Sequence, residues 1–299
     1  MTISLPNPAS ASSEEVKPTK KILCYGSPYL AEFYDIWIGL WDDTAFYSEC
    51  LSQIASHTPP SEPVVVLDIG AGTGRITHAL ASNLPQHIAN VRLLGLDMER
   101  HMLERAATLT DPAHADKISW VLGSACDLES VPAFRDEGLR ADMMVFACGS
   151  ICHLNVPGQA EQLFRGIASV LRPKTGKAYI SVLKGGSSDN GVPDQMMTKP
   201  PPAEFRSRDF KDIIYRDTTT VLEVVDDIWH NTRHIVVSRV LEDGSERVVE
   251  DNIAEVKAKI WTEGELRRIA KAAGLRVVDI VDRHNDCRDE LIFVFEVDV

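Results

Sequence analysis

The chain has no apolar run approaching the roughly 20 residues that a membrane-spanning helix requires, which excludes such a helix. Basic residues are in short supply: 31 Lys and Arg face 44 Asp and Glu, leaving a formal net charge of −13. A surplus of that sign repels phosphate backbones and anionic lipid, so neither nucleic acid nor a membrane surface is expected as a partner. Cysteine is sparse. Cys24, Cys50, Cys126, Cys148, Cys152 and Cys287 form no dense even framework, and the N-terminus lacks the charged-then-apolar order of a secretory signal. These absences point to a reducing, cytoplasmic setting. There is no internal repeat. Large apolar side chains are rare over residues 1–20, amid Ser, Pro, Ala, Glu and Lys, so this segment reads as a disordered tail.

What is present from Ser61 onward is an alternation of short apolar runs with helical patterns, the sequence form of βαβ units and a parallel sheet. Strands are expected at Val64–Ile69, Val91–Leu96, Ile118–Leu122, Met143–Ala147 and Ala178–Leu183, with helices at Ile76–Leu84, Glu99–Leu109 and Gln159–Leu171 between them. Gly, Pro, Ser and Asp crowd Gly185–Pro202, where a loop or lid begins. Alternating β-branched residues then predict antiparallel strands at Thr218–Trp229, His234–Leu241 and Arg247–Trp261, with Asp243-Gly244 as a hairpin turn. Thr262 and Glu265 form a capping box ahead of a helix to Ala273, and strands at Leu275–Val281 and Glu290–Val297 close the sheet. The whole reads as an α/β, Rossmann-like, doubly wound, mostly parallel seven-stranded sheet with an antiparallel β insertion after the fifth strand. Its expected divisions are the tail at 1–20, an N-terminal helical cover at 21–60, the α/β core at 61–184, a lid loop and insertion at 185–260, and a closing helix and strands at 261–299. In the cover, Phe33, Trp37, Leu40 and Trp41 are read as packing on the sheet in preference to touching a ligand.

The segment with the most chemistry is Val64-Val65-Val66-Leu67-Asp68-Ile69-Gly70-Ala71-Gly72-Thr73-Gly74-Arg75, a buried strand running into a glycine-rich turn and a helix. Glycines there let a ligand approach the main chain closely. The dinucleotide fingerprint needs G-x-G-x-x-G, but Arg75 or Thr77 stands where its third glycine belongs, which disfavours a nicotinamide or flavin enzyme. The pattern resembles motif I of the class I S-adenosylmethionine-dependent methyltransferases, an acidic residue followed by x-G-x-G-x-G, matched by Asp68, Gly70, Gly72 and Gly74 around Ala71. In that family the cofactor presents an ammonium and a carboxylate, so the resemblance implies that Asp68 meets the ammonium directly or through water. Asp97, closing the next strand in Leu94-Gly95-Leu96-Asp97-Met98, takes the position whose carboxylate accepts the ribose hydroxyl protons, and Met98 would lie on the adenine face. Gly123-Ser124-Ala125-Cys126-Asp127-Leu128 is similar to the adenine-binding segment G-D-A-x-x-L. Ser124 replaces its Asp, shifting weight to the N–H groups of Ala125 and Cys126. Phe146-Ala147-Cys148-Gly149-Ser150-Ile151-Cys152-His153-Leu154 resembles motif IV, where cofactor and acceptor meet, which places Cys148 at the cofactor. Glu32-Phe33-Tyr34-Asp35 resembles the Y-D element in which a Tyr reaches over the cofactor.

His153 is the titratable group expected nearest the reaction and is assigned as its base. Cys148, Cys152 and His153 lack a second ligand pair, so no metal is expected. His230, His234 and Asp226-Asp227 in the insertion are further candidates, weighed below an ordinary solvated hairpin. The resemblance implies S-adenosyl-L-methionine as cofactor, in-line methyl transfer to a small-molecule acceptor, and an acceptor pocket built from residues 185–260. Two other readings stay open on the same residues: a cyclisation or rearrangement that uses the cofactor's charge, and a cofactor-binding subunit without turnover.

Overall fold

A computed structural model describes residues 20–22, 25–39, 43–58, 62–85, 88, 90–183, 199–284 and 289–298. The tail over 1–19, the lid segment 184–198, and Leu40 and Trp41 lie outside the described residues. The described residues form two compact units, one within residues 20–39 and 199–259 and the other within residues 43–183 and 260–298.

The first stretches are β1 (Lys20–Ile22), α1 (Pro28–Ile38), α2 (Thr44–Ala55), β2 (Val64–Ile69) and α3 (Arg75–Ser82). Next come β3 (Val91–Asp97), α4 (Arg100–Leu109), β4 (Ile118–Leu122), α5 (Pro132–Arg135), β5 (Met143–Phe146), α6 (Gln159–Val170) and β6 (Lys177–Leu183). The insertion holds β7 (Ala203–Arg206), β8 (Ile213–Val225), β9 (Ile228–Val240) and β10 (Glu246–Lys259). The chain ends with α7 (Glu263–Ala272), β11 (Leu275–His284) and β12 (Asp289–Val297). In the larger unit the sheet order is β11-β12-β6-β5-β2-β3-β4, with β12 antiparallel to both neighbours and the other pairs parallel. This is the expected mostly parallel seven-stranded sheet. Every residue of β2 and β5 is buried, which is why these strands read as unbroken apolar runs. On one face Val64, Val66, Val145 and Ile292 pack with Tyr47, Leu51 and Ile54 of α2 and with Ile76 and Leu80 of α3. The capping box is present: Thr262 Oγ1 accepts from Glu265 N, and Glu265 accepts from Thr262 N at 3.0 Å.

The smaller unit is a five-stranded sheet, β1-β10-β9-β8-β7, parallel only where β1 joins β10. The expected strand Thr218–Trp229 is corrected here. It contains a hairpin turn at Asp226 and Asp227, both with positive φ (50° and 60°), so β8 ends at Val225 and β9 begins at Ile228. Asp tolerates the left-handed region without the glycine that marks most such turns. Asp226-Asp227 is therefore a turn, and His234 Nε2 is hydrogen-bonded to Asp251 Oδ1 at 2.6 Å within the sheet. β1 and β7 carried no visible signal, being three and four residues long.

The partner of α1 is also corrected. Leu30 and Phe33 pack on Ile213, Tyr215, Ile235 and Val237 of the antiparallel sheet, and the Arg233 guanidinium lies 5.1 Å from the half-exposed Trp37 ring. Glu32, fully buried, ties this unit together. Its carboxylate accepts from Ser207 Oγ (2.6 Å), Arg208 N (2.7 Å), Asp209 N (2.9 Å) and Tyr215 Oη (2.5 Å). Glu32→Ala strands these four donors and is expected to cost about 3–5 kcal/mol, read as a drop in the midpoint of urea unfolding. A loss below about 1 kcal/mol would show that water replaces the carboxylate there.

Candidate cofactor-binding site

Parallel strands end their carboxyl termini at one edge of the sheet, and ligands bind α/β sheets along that edge. Asp68 and Gly70–Gly74 follow β2, Asp97 and Met98 close β3, Ser124–Cys126 follow β4, and Cys148 and His153 follow β5. The strands are adjacent in the order β5-β2-β3-β4, so the structure gathers these residues at one edge. Tyr34 stands on α1 in the other unit, its ring edge-on to Tyr25 at 5.5 Å.

The turn after β2 is made by Gly70, Gly72 and Gly74, at φ 65°, 57° and 86°. A Cβ on Gly74 would lie 2.5 Å from the Trp120 ring, and one on Gly95 of β3 only 2.3 Å from it, so both glycines make room for Trp120 behind the loop. Trp120 is held by its Nε1–H, which donates to Thr110 Oγ1 at 3.2 Å. The loop is pinned to the next strand. Ala71 N donates to Leu96 O (2.9 Å) and Gly72 N to Asp97 Oδ2 (2.8 Å), while Asp97 Oδ1 accepts from Glu99 N (2.8 Å). Burial raises the Asp97 pKa, and these N–H donors oppose that rise.

Asp68 is buried, and its Oδ2 accepts from Thr77 Oγ1 at 2.7 Å. Desolvation pushes its pKa up to about 7, against the pull of the Thr77 hydroxyl and the Arg75 charge. Arg75, which in sequence only broke the dinucleotide pattern, forms a two-pronged ion pair with the fully buried Asp43 ahead of α2, its second contact at 3.0 Å. Neither Thr77 nor Asp43 was identified from sequence. Thr77 lies one helical turn past Gly74, the position where a hydroxyl on the first turn reaches back to the strand end.

Beyond β4, Ser124 Oγ accepts from Cys126 N at 3.1 Å, so that amide is committed to its own turn and the expected pair of backbone donors narrows to Ala125. Met98 leaves 68% of its surface open, more than any other exposed large apolar side chain among the described residues. Cys148 (φ 57°) and Gly149 (φ 66°) form two successive left-handed residues after β5. His153 ends a 3-10 turn at Ser150–His153 and is solvent-exposed, yet the protein crowding it lowers its pKa below the ordinary value. The imidazole is neutral at pH 7.

A glycine cradle open to backbone approach, a carboxylate pre-oriented by two N–H groups and a buried second carboxylate fit an adenosyl amino acid. Because the folded-state pKa of Asp68 is raised, the native state holds a proton that the unfolded chain has released, and stability falls as pH rises from about 4 to about 7. Thr77→Val is expected to move the Asp68 pKa above about 7 and to cost ~1 kcal/mol. Asp68→Asn should flatten the dependence, as measured by equilibrium unfolding at pH 5 and pH 8. An unaltered pH slope in Asp68→Asn would remove Asp68 as its source.

Comparison with known proteins agrees with this geometry. A methyltransferase-domain family profile matches residues 66–174, spanning the glycine turn and the ends of β3, β4 and β5. The N-methyltransferase FrzE of Cladobotryum sp is 30% identical over 289 residues, covering 90% of this chain and 94% of that protein. An S-adenosylmethionine-dependent methyltransferase from Clostridium acetobutylicum superposes with a TM-score of 0.61 at 14% identity, covering 90% of this chain and 98% of that one. An amino pentose methyltransferase from Micromonospora echinaspora, solved with S-adenosylmethionine bound, gives the same TM-score and identity over 90% of this chain and 97% of its own. With a full-length relative and a fold shared with cofactor-bound enzymes, the chain belongs to the class I S-adenosylmethionine-dependent methyltransferases.

Proposed function

We propose that this chain transfers the methyl group of S-adenosylmethionine to an amine nitrogen of a small-molecule acceptor. Likeness to an N-methyltransferase along nine-tenths of the chain carries this reading, and the net negative charge that disfavours nucleic acid supports it. When bound, S-adenosylmethionine supplies a methyl group already activated on a sulfonium, so the protein's task is alignment and exclusion of water. Asp97 is assigned to the ribose hydroxyls and Asp68 to the methionine ammonium. Gly70, Ala71, Gly72 and Gly74 give backbone access, and Met98, Ser124 and Ala125 are assigned to the adenine side, with Cys126 N holding the Ser124 hydroxyl. Cys148 is placed beside the reacting end, Tyr34 is assigned as the cover implied by the Y-D resemblance, and acceptor choice falls to residues 185–260.

An amine attacks only through its lone pair, and at neutral pH most alkylamines carry a proton there. We assign His153, neutral at pH 7, as the group that takes this proton to solvent before the freed lone pair attacks. No other protein group has to move. The four described cysteines Cys50, Cys126, Cys148 and Cys152 are free thiols, which supports a cytoplasmic location. Among the described residues no helix is long and apolar enough to cross a membrane.

Calorimetry should show binding of S-adenosylmethionine and S-adenosylhomocysteine but not NADH, with Asp97→Ala weakening the adenosyl ligands by ~1–3 kcal/mol. Unchanged affinity in a folded Asp97→Ala protein would sink the ribose assignment. Screened against small amines, alcohols and thiols, the enzyme is expected to release S-adenosylhomocysteine with amines, and turnover confined to alcohols or thiols would overturn the nitrogen assignment. With an accepted amine, activity should fall as pH drops through the lowered His153 pKa, and His153→Gln should lose that limb.

A further inference from the structure

Among the described residues two glutamates are fully buried, and they differ in how they are satisfied. Glu32 of the smaller unit has four hydrogen-bond donors. Glu290, the second residue of β12 in the larger unit, has none: neither carboxylate oxygen has a hydrogen-bond partner among the described residues. Its one ion pair, with Arg283 Nε, is 3.8 Å long, and that guanidinium is also drawn to the Phe46 ring, 4.9 Å from its centroid. A buried carboxylate in this condition is costly unless a donor within reach satisfies it.

The nearby element is the turn after β5. In the antiparallel register Glu290 lies opposite Leu183 and Ile292 opposite Ser181, so side-chain alternation sets Ser181, Leu183 and Glu290 on one face, with Ser181 diagonal to Glu290. Ser181, fully buried, accepts the Gly149 N–H on its Oγ at 2.7 Å. Gly149 presses on Leu183 so closely that a Cβ there would lie 2.7 Å from the leucine Cγ. Cys148 beside it holds a left-handed conformation disfavoured for a residue with a Cβ. On its other flanks the turn meets the glycine cradle: a Cβ at Gly70 would lie 3.1 Å from Phe146 and 3.7 Å from Ser150. Any slackening of the turn is therefore felt at Gly70.

Ser181 has one hydroxyl proton to give, and Glu290, diagonal to it on the same face of the paired strands, is a carboxylate whose oxygens have no hydrogen-bond partner among the described residues; burial raises the Glu290 pKa and the Ser181 hydroxyl opposes that rise. Tyr47 of α2, whose buried hydroxyl also has no hydrogen-bond partner among the described residues, and the charges of Asp43, Arg75 and Arg283 also act on the surroundings of the carboxylate. We infer that Glu290 and Ser181 are positioning residues that act as a relay behind the Cys148–Gly149 turn. Ser181 receives the Gly149 N–H, directs its own proton to Glu290, and so holds the strained turn against the cofactor cradle. This inference rests on the assignment of that turn to the methyl-transfer site.

The test compares wild type with Ser181→Ala, Glu290→Ala and Glu290→Gln. It reads the hydrogen-exchange protection of the Gly149 amide by NMR and S-adenosylhomocysteine binding by calorimetry. Ser181→Ala and Glu290→Ala are expected to lower Gly149 protection and weaken S-adenosylhomocysteine by about three- to tenfold each, the equivalent of one hydrogen bond. Glu290→Gln, whose amide oxygen still accepts the serine proton, should restore both. Should Glu290→Ala fail to fold, Ser181→Ala and Glu290→Gln decide alone. Unchanged Gly149 protection in Ser181→Ala, or a Glu290→Gln protein that loses as much as Ser181→Ala, overturns the relay. Wild-type protein that does not bind S-adenosylhomocysteine would overturn the cofactor-site assignment instead, and the exchange rates would still decide the relay.

Discussion

The hydrogen bond from Gly72 N to Asp97 Oδ2 fixes the loop after β2 to the end of β3, and the rest of the site is arranged around it. It is one of three backbone-anchored links across adjacent strand ends, with Ala71 N to Leu96 O on one side and Gly123 N to Asp97 O on the other. Together they extend the sheet's hydrogen bonding past its last paired residues and leave a ledge of three loops in fixed register. A carboxylate held by two N–H groups loses little further rotamer freedom when it takes up a ligand. The same bonds oppose the rise in its pKa that burial causes. Trp120 backs the ledge, and the missing Cβ atoms of Gly74 and Gly95 create the space it fills.

What could be read from the sequence was what depends on neighbours in the chain. β2 and β5 showed as apolar runs because both their faces are covered, the glycine turn showed because its conformation excludes side chains, and the capping box showed because its partners are three residues apart. What stayed hidden depends on distant partners. Arg75 and Asp43 are 32 positions apart, and Glu32 and Tyr215 are 183 apart, so neither pair leaves a local pattern. The Asp226-Asp227 turn was hidden for a different reason: two acidic residues between β-branched runs look like solvent-facing positions of one long strand. α1 was expected on the parallel sheet because its apolar residues show that it packs, while nothing in them says on what. Glu290, one acidic residue near a strand start, gave no hint that it is buried.

Net charge bears on which form of the cofactor the protein attracts. The methyl donor carries a net positive charge and the demethylated product carries none, while an amine acceptor in water arrives as a cation. A protein with a formal net charge of −13 draws the cationic donor toward itself and has no such hold on the uncharged demethylated donor. Inside the site the balance is finer. Asp68, with its pKa near 7, is poised so that a neighbouring ammonium can bring it to the ionised form, and the loss of that ammonium lets the proton return. Binding of any cation beside Asp68 is thus linked to one proton on a buried carboxylate. That carboxylate leans on Thr77 at the first turn of α3, while the arginine two residues before Thr77 anchors the same helix to Asp43. Cradle, helix and first-layer charge are therefore one mechanical unit, and a change in Arg75 or Asp43 would reach Asp68 through the position of α3 without touching any ligand.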